Sequence, residues 1–271
     1  MRSCETLYKS RRLVIPNPQS PIPPLPQSRL SAMFRLEAQP AYILHSRPYR
    51  ETSLLLEAFT RDHGRIGLIA RGVRGSRGQP LRAVLQPMQA LLVSCAGQGE
   101  LLKLVQAEAA DAPQVLNGDA LLSGFYLNEL LLRLLPRGEA QTGLFWRYVE
   151  CIAALAEGQP PAWELRRFER DLLAAIGYAI DLRGEAGTEP VQAELRYRVD
   201  PEHGLRRTGS DDASPGTCAG AALLALADDV VASPAHQREL RRLMRTLLLH
   251  HLGGRELKSW RVLADVSRVE K

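Results

Sequence analysis

Residues 41–82 read AYILHSRPYRETSLLLEAFTRDHGRIGLIARGVRGSRGQPLR, and the rhythm of this stretch decides the fold. Apolar runs of strand length are separated by the turn signals RPYRE, RDHG and RGSRGQP. In the third run Ile66, Leu68 and Ala70 fall on one face while Arg65, Ile69 and Arg71 fall on the other, because side chains alternate along a strand. Continuing downstream across the AGQGE turn, the periodicity predicts strands over 41–47, 53–60, 65–73, 88–96 and 101–109. Five short strands in sequence point to a small barrel.

The same stretch carries the charge of the molecule. Its eight arginines (Arg47, Arg50, Arg61, Arg65, Arg71, Arg74, Arg77, Arg82) against Glu51, Glu57 and Asp62, with no lysine, give a surplus of +5, equal to the formal charge of all 271 residues. Residues 1–40 add a surplus of +4 and residues 83–271 cancel it with −4. A planar guanidinium forks onto phosphate oxygens and stacks on bases, so arginine concentrated in a β-rich segment suggests a nucleic-acid surface; a solvated basic face is the bland alternative. An anionic membrane fits less well, for there is no long amphipathic basic helix and no apolar run long enough to span a bilayer. Gly72, Gly75 and Gly78 space Arg74 and Arg77 along a loop able to follow a curved backbone. No helix start is expected after them, which argues against a dinucleotide-binding turn. Tyr42 and Phe59 sit within apolar runs and are assigned to the core; Tyr49, between Pro48 and Arg50, is the candidate for stacking on a base. Low aromatic content implies binding dominated by phosphate contacts, steep in salt and weak in sequence preference.

Outside this region the composition changes twice. Residues 1–32 are crowded with proline (PNPQSPIPPLP) and are expected to form a disordered or polyproline tail, with Met33 a sensible start for the folded part. Residues 33–110 form the expected barrel and 111–271 a helical domain, an α+β chain overall. Helices are expected over LLSGFYLNELLLRLL, capped by Asn117 or Asp119, over GLFWRYVECIAALAEG, over WELRRFERDLLAAIGY, and over PAHQRELRRLMRTLLLHHL after Ser233 and Pro234. Residues 181–217 are polar and turn-rich, and the alternation of Leu195, Tyr197 and Val199 before DPEHG predicts a small hairpin in an insert. Cys4, Cys95, Cys151 and Cys218 are too far apart for a close CxxC pair. No disulfide framework or signal peptide is evident, and a cytoplasmic location is the expectation.

Catalytic chemistry finds little support. The G-x-x-x-x-G-K-[ST] phosphate loop is missing, His250 and His251 lack an H-E-x-x-H frame, and the pairs Asp211/Asp212 and Asp228/Asp229 suit loop capping better than a two-metal centre. A protein-binding adaptor is the competing class; a nuclease or glycosylase ranks third. No cofactor or metal is expected.

Taken in order, LHSRPYRETSLLLEAFTRDHGRIGLIARGVRG, LQPM, SGFYLNELLLRLL, LRRFERDLLAAIGY and LGGRELKS resemble the bacterial recombination mediator family RecO, over about residues 34–260. The resemblance implies an N-terminal oligonucleotide-binding (OB-fold) barrel followed by a helical domain with a small inserted module. It further implies binding to single- and double-stranded DNA, annealing of complementary strands, engagement of the single-stranded DNA-binding protein SSB, and action with RecR in loading RecA. The DNA contacts it implies are Arg47, Arg50, Arg65, Arg71, Arg74 and Arg77, with Arg74 and Arg77 foremost; the residues themselves add Tyr49 and Arg82. An acidic tail of SSB would be taken by Arg166, Arg167 and Arg170 beside Trp163, Arg166 being the closest match to the family's tail-binding arginine. The competing view makes this an ordinary amphipathic helix with Phe168 and Leu172 in the core. Many relatives hold zinc in the inserted module through two CxxC pairs; here only Cys218 falls near it, so a zinc-free insert is expected.

Overall fold

The computed structural model describes residues 34–75, 78–185, 189–210, 212 and 214–262. The proline-rich tail, Met33, Arg77 and Asp211 lie outside them. The chain divides into two compact units, one formed by residues up to Val115 together with Pro136–Glu150, the other by Leu116–Leu135 and the residues from Cys151 onward.

In the first unit five strands, β1 (Phe34–Tyr49), β2 (Ser53–Thr60), β3 (Gly64–Ala70), β4 (Ala90–Gly97) and β5 (Leu101–Ala109), close a barrel in the order β1-β2-β3-β5-β4. The expected strands are all present. Three have different bounds: the first begins seven residues earlier than the alternation suggested, the third stops at Ala70 rather than continuing to residue 73, and the fourth is Ala90–Gly97 rather than 88–96. The length of β1 lets it pair with both β2 and β4, with bulges between Ile43 and His45 and between Leu36 and Gln39 that bend it around the barrel. Closure comes from a parallel pairing of Gly67, Leu68 and Ile69 with Leu101, Leu102 and Lys103. Inward positions of every strand fill the interior, among them Ile43, Leu56, Leu68, Leu91, Val93 and Leu102.

One element contradicts the expectation that no helix follows the glycine run. Helix α1 spans Gln79–Val84, with Gly78 as its N-cap residue and Pro80 in the first turn. Proline is tolerated there because a first-turn N–H has no partner within the helix. Six residues are too few to leave a readable 3.6-residue period. The preceding loop is also more constrained than expected. Arg74 N–H donates to Thr52 O at 2.9 Å and Gly78 N–H to Gly75 O at 2.9 Å. A side chain at Gly78 would collide with the backbone of Gly72 and Val73, so this glycine serves close approach.

Residues 136–150 complete the first unit. Gly138 N–H donates to Arg65 O at 2.9 Å and Thr142 Oγ1 donates to Arg61 O at 3.2 Å. Helix α3 (Thr142–Ala156) then packs its opening turns on the barrel: Phe145 lies 5.5 Å from Phe59 and Tyr148 lies 5.0 Å from Tyr42, ring centre to ring centre. Tyr42 and Phe59 are core residues, as expected, only 2% and 0% exposed.

In the second unit lie α2 (Gly118–Leu134), the remainder of α3, α4 (Pro161–Ala175), α5 (Gly220–Ala227) and α6 (Pro234–His251). Ser233 caps α6 by accepting from His236 N–H at 3.3 Å. The expected hairpin is β6 (Arg196–Asp200) with β7 (Gly204–Thr208), joined by a third strand, β8 (Thr217–Ala219). Asp212 fastens this insert: its carboxylate accepts from Arg198 at 2.6 Å, Thr208 Oγ1 at 2.7 Å and Ser214 N–H at 2.9 Å. These bonds, those from Ser214 first, hold the Asp212 carboxyl well below the usual range. The donor set does not suit zinc. Burial, with Glu239 adding to it, pushes the Cys218 thiol up to about 12, so it stays protonated at neutral pH. Among the described residues no three His, Cys, Asp or Glu side chains converge as a metal would require.

Candidate nucleic-acid interface

One end of the barrel gathers most of the arginines singled out from the sequence. Arg47 lies near the end of β1, Arg50 in the hairpin between β1 and β2, Arg71 just past β3, Arg74 in the loop that follows and Arg82 on α1; all five are exposed. Register explains the convergence. Tyr49 pairs with Ser53 and Leu54 with Ala70, so the β1–β2 hairpin and the exit of β3 share an edge. Arg74 ties them further, donating through Nη1 to Arg50 O at 3.2 Å.

Between these elements runs a groove of about 290 Å³ lined by Ser46, Pro48, Leu54, Arg74, Arg82, Leu85 and Gln86. Its apolar floor and two cationic walls suit a base edge-on with its phosphate at the rim. Arg50 adopts a left-handed backbone, φ +51°, at the hairpin tip. Its guanidinium lies 5.2 Å from the centre of the Tyr49 ring, so a base stacking on that face of Tyr49 has to displace a cation already there.

Arg65 is placed elsewhere. It opens β3, at the end opposite Arg71, and its side chain lies against Glu57 at 3.5 Å. Glu57 also holds Arg137, which reaches Glu100 at 3.5 Å. Burial, opposed by Glu57 and reinforced by Arg137, lowers the Arg65 pKa. Strand alternation had assigned Arg65 its face correctly but carries no information about which end of the barrel it occupies. Arg77 lies outside the described residues. Gln86 was not singled out; its signal was the short helix that periodicity could not reveal.

The α4 cluster looks inward more than expected. Trp163 and Arg166 are buried, Arg166 being 5% exposed and paired with the fully buried Glu169, which accepts from Tyr126 Oη at 2.6 Å. Burial raises the Glu169 pKa, against the pull of Arg166. Arg167 and Arg170 converge on Asp229, at 3.1 and 2.9 Å, leaving both half-buried and bonded.

A closed β1-β2-β3-β5-β4 barrel with a cationic end, followed by helices, defines an oligonucleotide-binding-fold protein. No described helix is long and apolar enough to cross a membrane. Residues 33–113 match the family model for the recombination protein O N terminal and residues 115–261 that for its C terminal. DNA repair protein RecO of Xanthomonas oryzae pv. oryzae (strain PXO99A) is 49% identical over 236 residues, 86% of this chain and 98% of that protein. DNA repair protein RecO of Stenotrophomonas maltophilia (strain K279a) is 46% identical over 234 residues, again covering 86% and 98%. The chain belongs to the RecO family of DNA repair proteins, the recombination mediators.

Proposed function

We propose that the cationic end of the barrel grips single- and double-stranded DNA through Arg47, Arg50, Arg71, Arg74 and Arg82 with Tyr49 as a stacking residue, and that Arg77, outside the described residues, is a further contact. The observation that carries this is the groove walled by Arg74 and Arg82 over Pro48, Leu54 and Leu85. Arg65, engaged by Glu57, supports the barrel surface and contributes only through its field. From this grip follow annealing of complementary strands and, with RecR, loading of RecA on SSB-coated DNA, without any covalent step. A cytoplasmic, nucleoid-associated protein is the corresponding location, and in place of a simple division into 33–110 and 111–271 the barrel unit, which includes residues 136–150, serves DNA while the second unit serves partners.

Replacing Arg71, Arg74 and Arg82 with Gln is expected to weaken binding to oligothymidylate and to lower the slope of log affinity against log salt by roughly 2, at about 0.7 per lost single-strand phosphate contact. An unchanged slope in a fluorescence-anisotropy salt titration would sink the assignment.

The partner half of the proposal assigns the acidic tail of SSB to α4. Arg167 and Arg170, half-buried and shared with Asp229, are its outer cations, while Arg166 and Trp163 are buried. Binding of a labelled tail peptide should weaken in Arg167→Ala and in Arg170→Ala; equal affinity would leave the protein-binding half without support. Salt-sensitive binding to bare single strands separates a mediator from an adaptor that works only through protein contacts.

A further inference from the structure

Helix α6 exposes an arginine face that neither the barrel nor α4 accounts for. Arg238, Arg241, Arg242 and Arg245 are all exposed and stand at i, i+3, i+4 and i+7, one stripe roughly 10 Å long on the side away from the buried Leu240, Leu243, Met244, Leu247 and Leu248. The helix contains one acid, Glu239, which is turned off the stripe to hold Arg196 at 3.0 Å and Ala219 N–H at 2.8 Å. Surface helices ordinarily alternate charge at these spacings, because like charges three or four residues apart repel. Here Arg238/Arg241, Arg242/Arg245, Arg238/Arg242 and Arg241/Arg245 are all like pairs, in a part of the chain whose net charge is negative. Arg245 has Glu256 at 2.9 Å and the Trp260 ring at 4.5 Å; Arg238 and Arg242 have no side-chain partner among the described residues.

The hairpin beside this helix repeats the pattern. Arg198 and Arg206 stand directly opposite each other in the β6–β7 register, where like charges destabilise a pair of strands. Arg198 is shared with Asp212, while Arg206 has no side-chain partner among the described residues. Both line a hollow of about 350 Å³ with His250 of α6. The acids there are Glu202 and Asp200, and Asp200 is committed to the turn through Glu202 N–H and His203 N–H.

We propose that the arginine face of α6 is a second DNA-binding surface that takes the phosphate backbone of a further strand, with Arg206 of the neighbouring hairpin adding its charge from the His250 side of the helix. A line of cations that meets an acid among the described residues only at its Arg245 end, in Glu256, matches the uniform charge of a nucleic-acid backbone. An acidic peptide would call for apolar anchors among the cations, and the exposed face of α6 between Arg238 and Arg245 has none. One chain then holds two strands, one on each unit. That deepens the annealing proposal and rests on it only for the barrel strand.

The test is strand stoichiometry, measured by sedimentation of the full chain with saturating twelve-nucleotide oligothymidylate at low salt. Arg206, Arg238 and Arg242 are replaced together with Gln; Arg241 is left in place because its charge reaches the buried Glu169. Two strands per chain are expected for the unaltered protein and one for this variant, with the affinity for the remaining strand within about twofold and the thermal midpoint unchanged. The barrel variant Arg71→Gln/Arg74→Gln/Arg82→Gln should also hold one. If the α6 variant keeps the parent stoichiometry and salt slope, the second surface does not exist. If instead it loses only the binding of a twelve-residue polyglutamate peptide, the face belongs to a protein partner and the proposal falls. Should the barrel variant keep two strands while the α6 variant keeps one, the barrel assignment fails and the α6 surface stands.

Discussion

Arg50 shows how one residue can serve binding at the expense of stability. An L-residue at φ +51° has its Cβ crowded by the following carbonyl. Arg50→Gly is therefore expected to raise stability by up to about 1 kcal/mol in urea unfolding while lowering DNA affinity. A loss of both would assign Arg50 a structural role. Gly64 is the opposite case. It has φ +62°, and a Cβ there would lie 1.8 Å from the carbonyl oxygen of Glu139. Gly64→Ala should cost roughly 3 kcal/mol or more and depress the yield of folded protein. At this scale the sequence revealed which arginines lie on strands or loops but not which meet an acid. Arg65 meets Glu57 through cross-strand register, and Arg166 meets Glu169 on the inner face of α4. The second was visible in principle, since Arg166 and Glu169 stand three residues apart on one helix and so neighbour each other on its surface.

Among the elements, α3 contributes to the barrel unit through its first turns. Phe145 fills the space beside Tyr42 and Phe59, its ring 5.9 and 5.5 Å from theirs. Phe145→Ala should cost about 3 to 5 kcal/mol, read as a lowered denaturant midpoint. In the second unit, Glu129 of α2 anchors the chain after Gly254, accepting from Lys258 N–H at 2.8 Å, Ser259 N–H at 2.9 Å and Ser259 Oγ at 2.7 Å. Burial would raise its pKa, but these bonds and Arg133 outweigh it and leave it below the ordinary 4.5. Its stabilising contribution is thus complete above that value and is lost as pH falls through the lower folded-state pKa. Glu129→Gln should cost about 1 kcal/mol at neutral pH, allowing for partial exposure, and the gap from the parent should close on acidification. A gap that persists at low pH would show that the carboxylate charge is irrelevant. Period-two alternation made all five barrel strands legible. The parallel β3–β5 closure was not, because it joins residues more than thirty positions apart and follows from twist and register. Helix α5, short and apolar throughout, and strand β8, only three residues long, were missed as well.

At the scale of the molecule, charge divides along the chain: the basic surplus lies in residues 1–82 and the acidic one beyond. Asp212 fastens the insert through hydrogen bonds, and treatment with a chelator is expected to leave both the melting temperature and DNA binding unchanged. A fall in either would reveal a metal. The passage of residues 136–150 back onto the barrel unit has a practical and evolutionary consequence. The two units are interleaved along the polypeptide, and no single scission separates them. A fragment ending near residue 115 would bare Tyr42 and Phe59 and should aggregate, whereas one extended to Glu150 would carry α2 away from its neighbours. Recombination between genes could therefore exchange this barrel only together with the first helices that follow it, and the two halves are bound to be inherited as one piece.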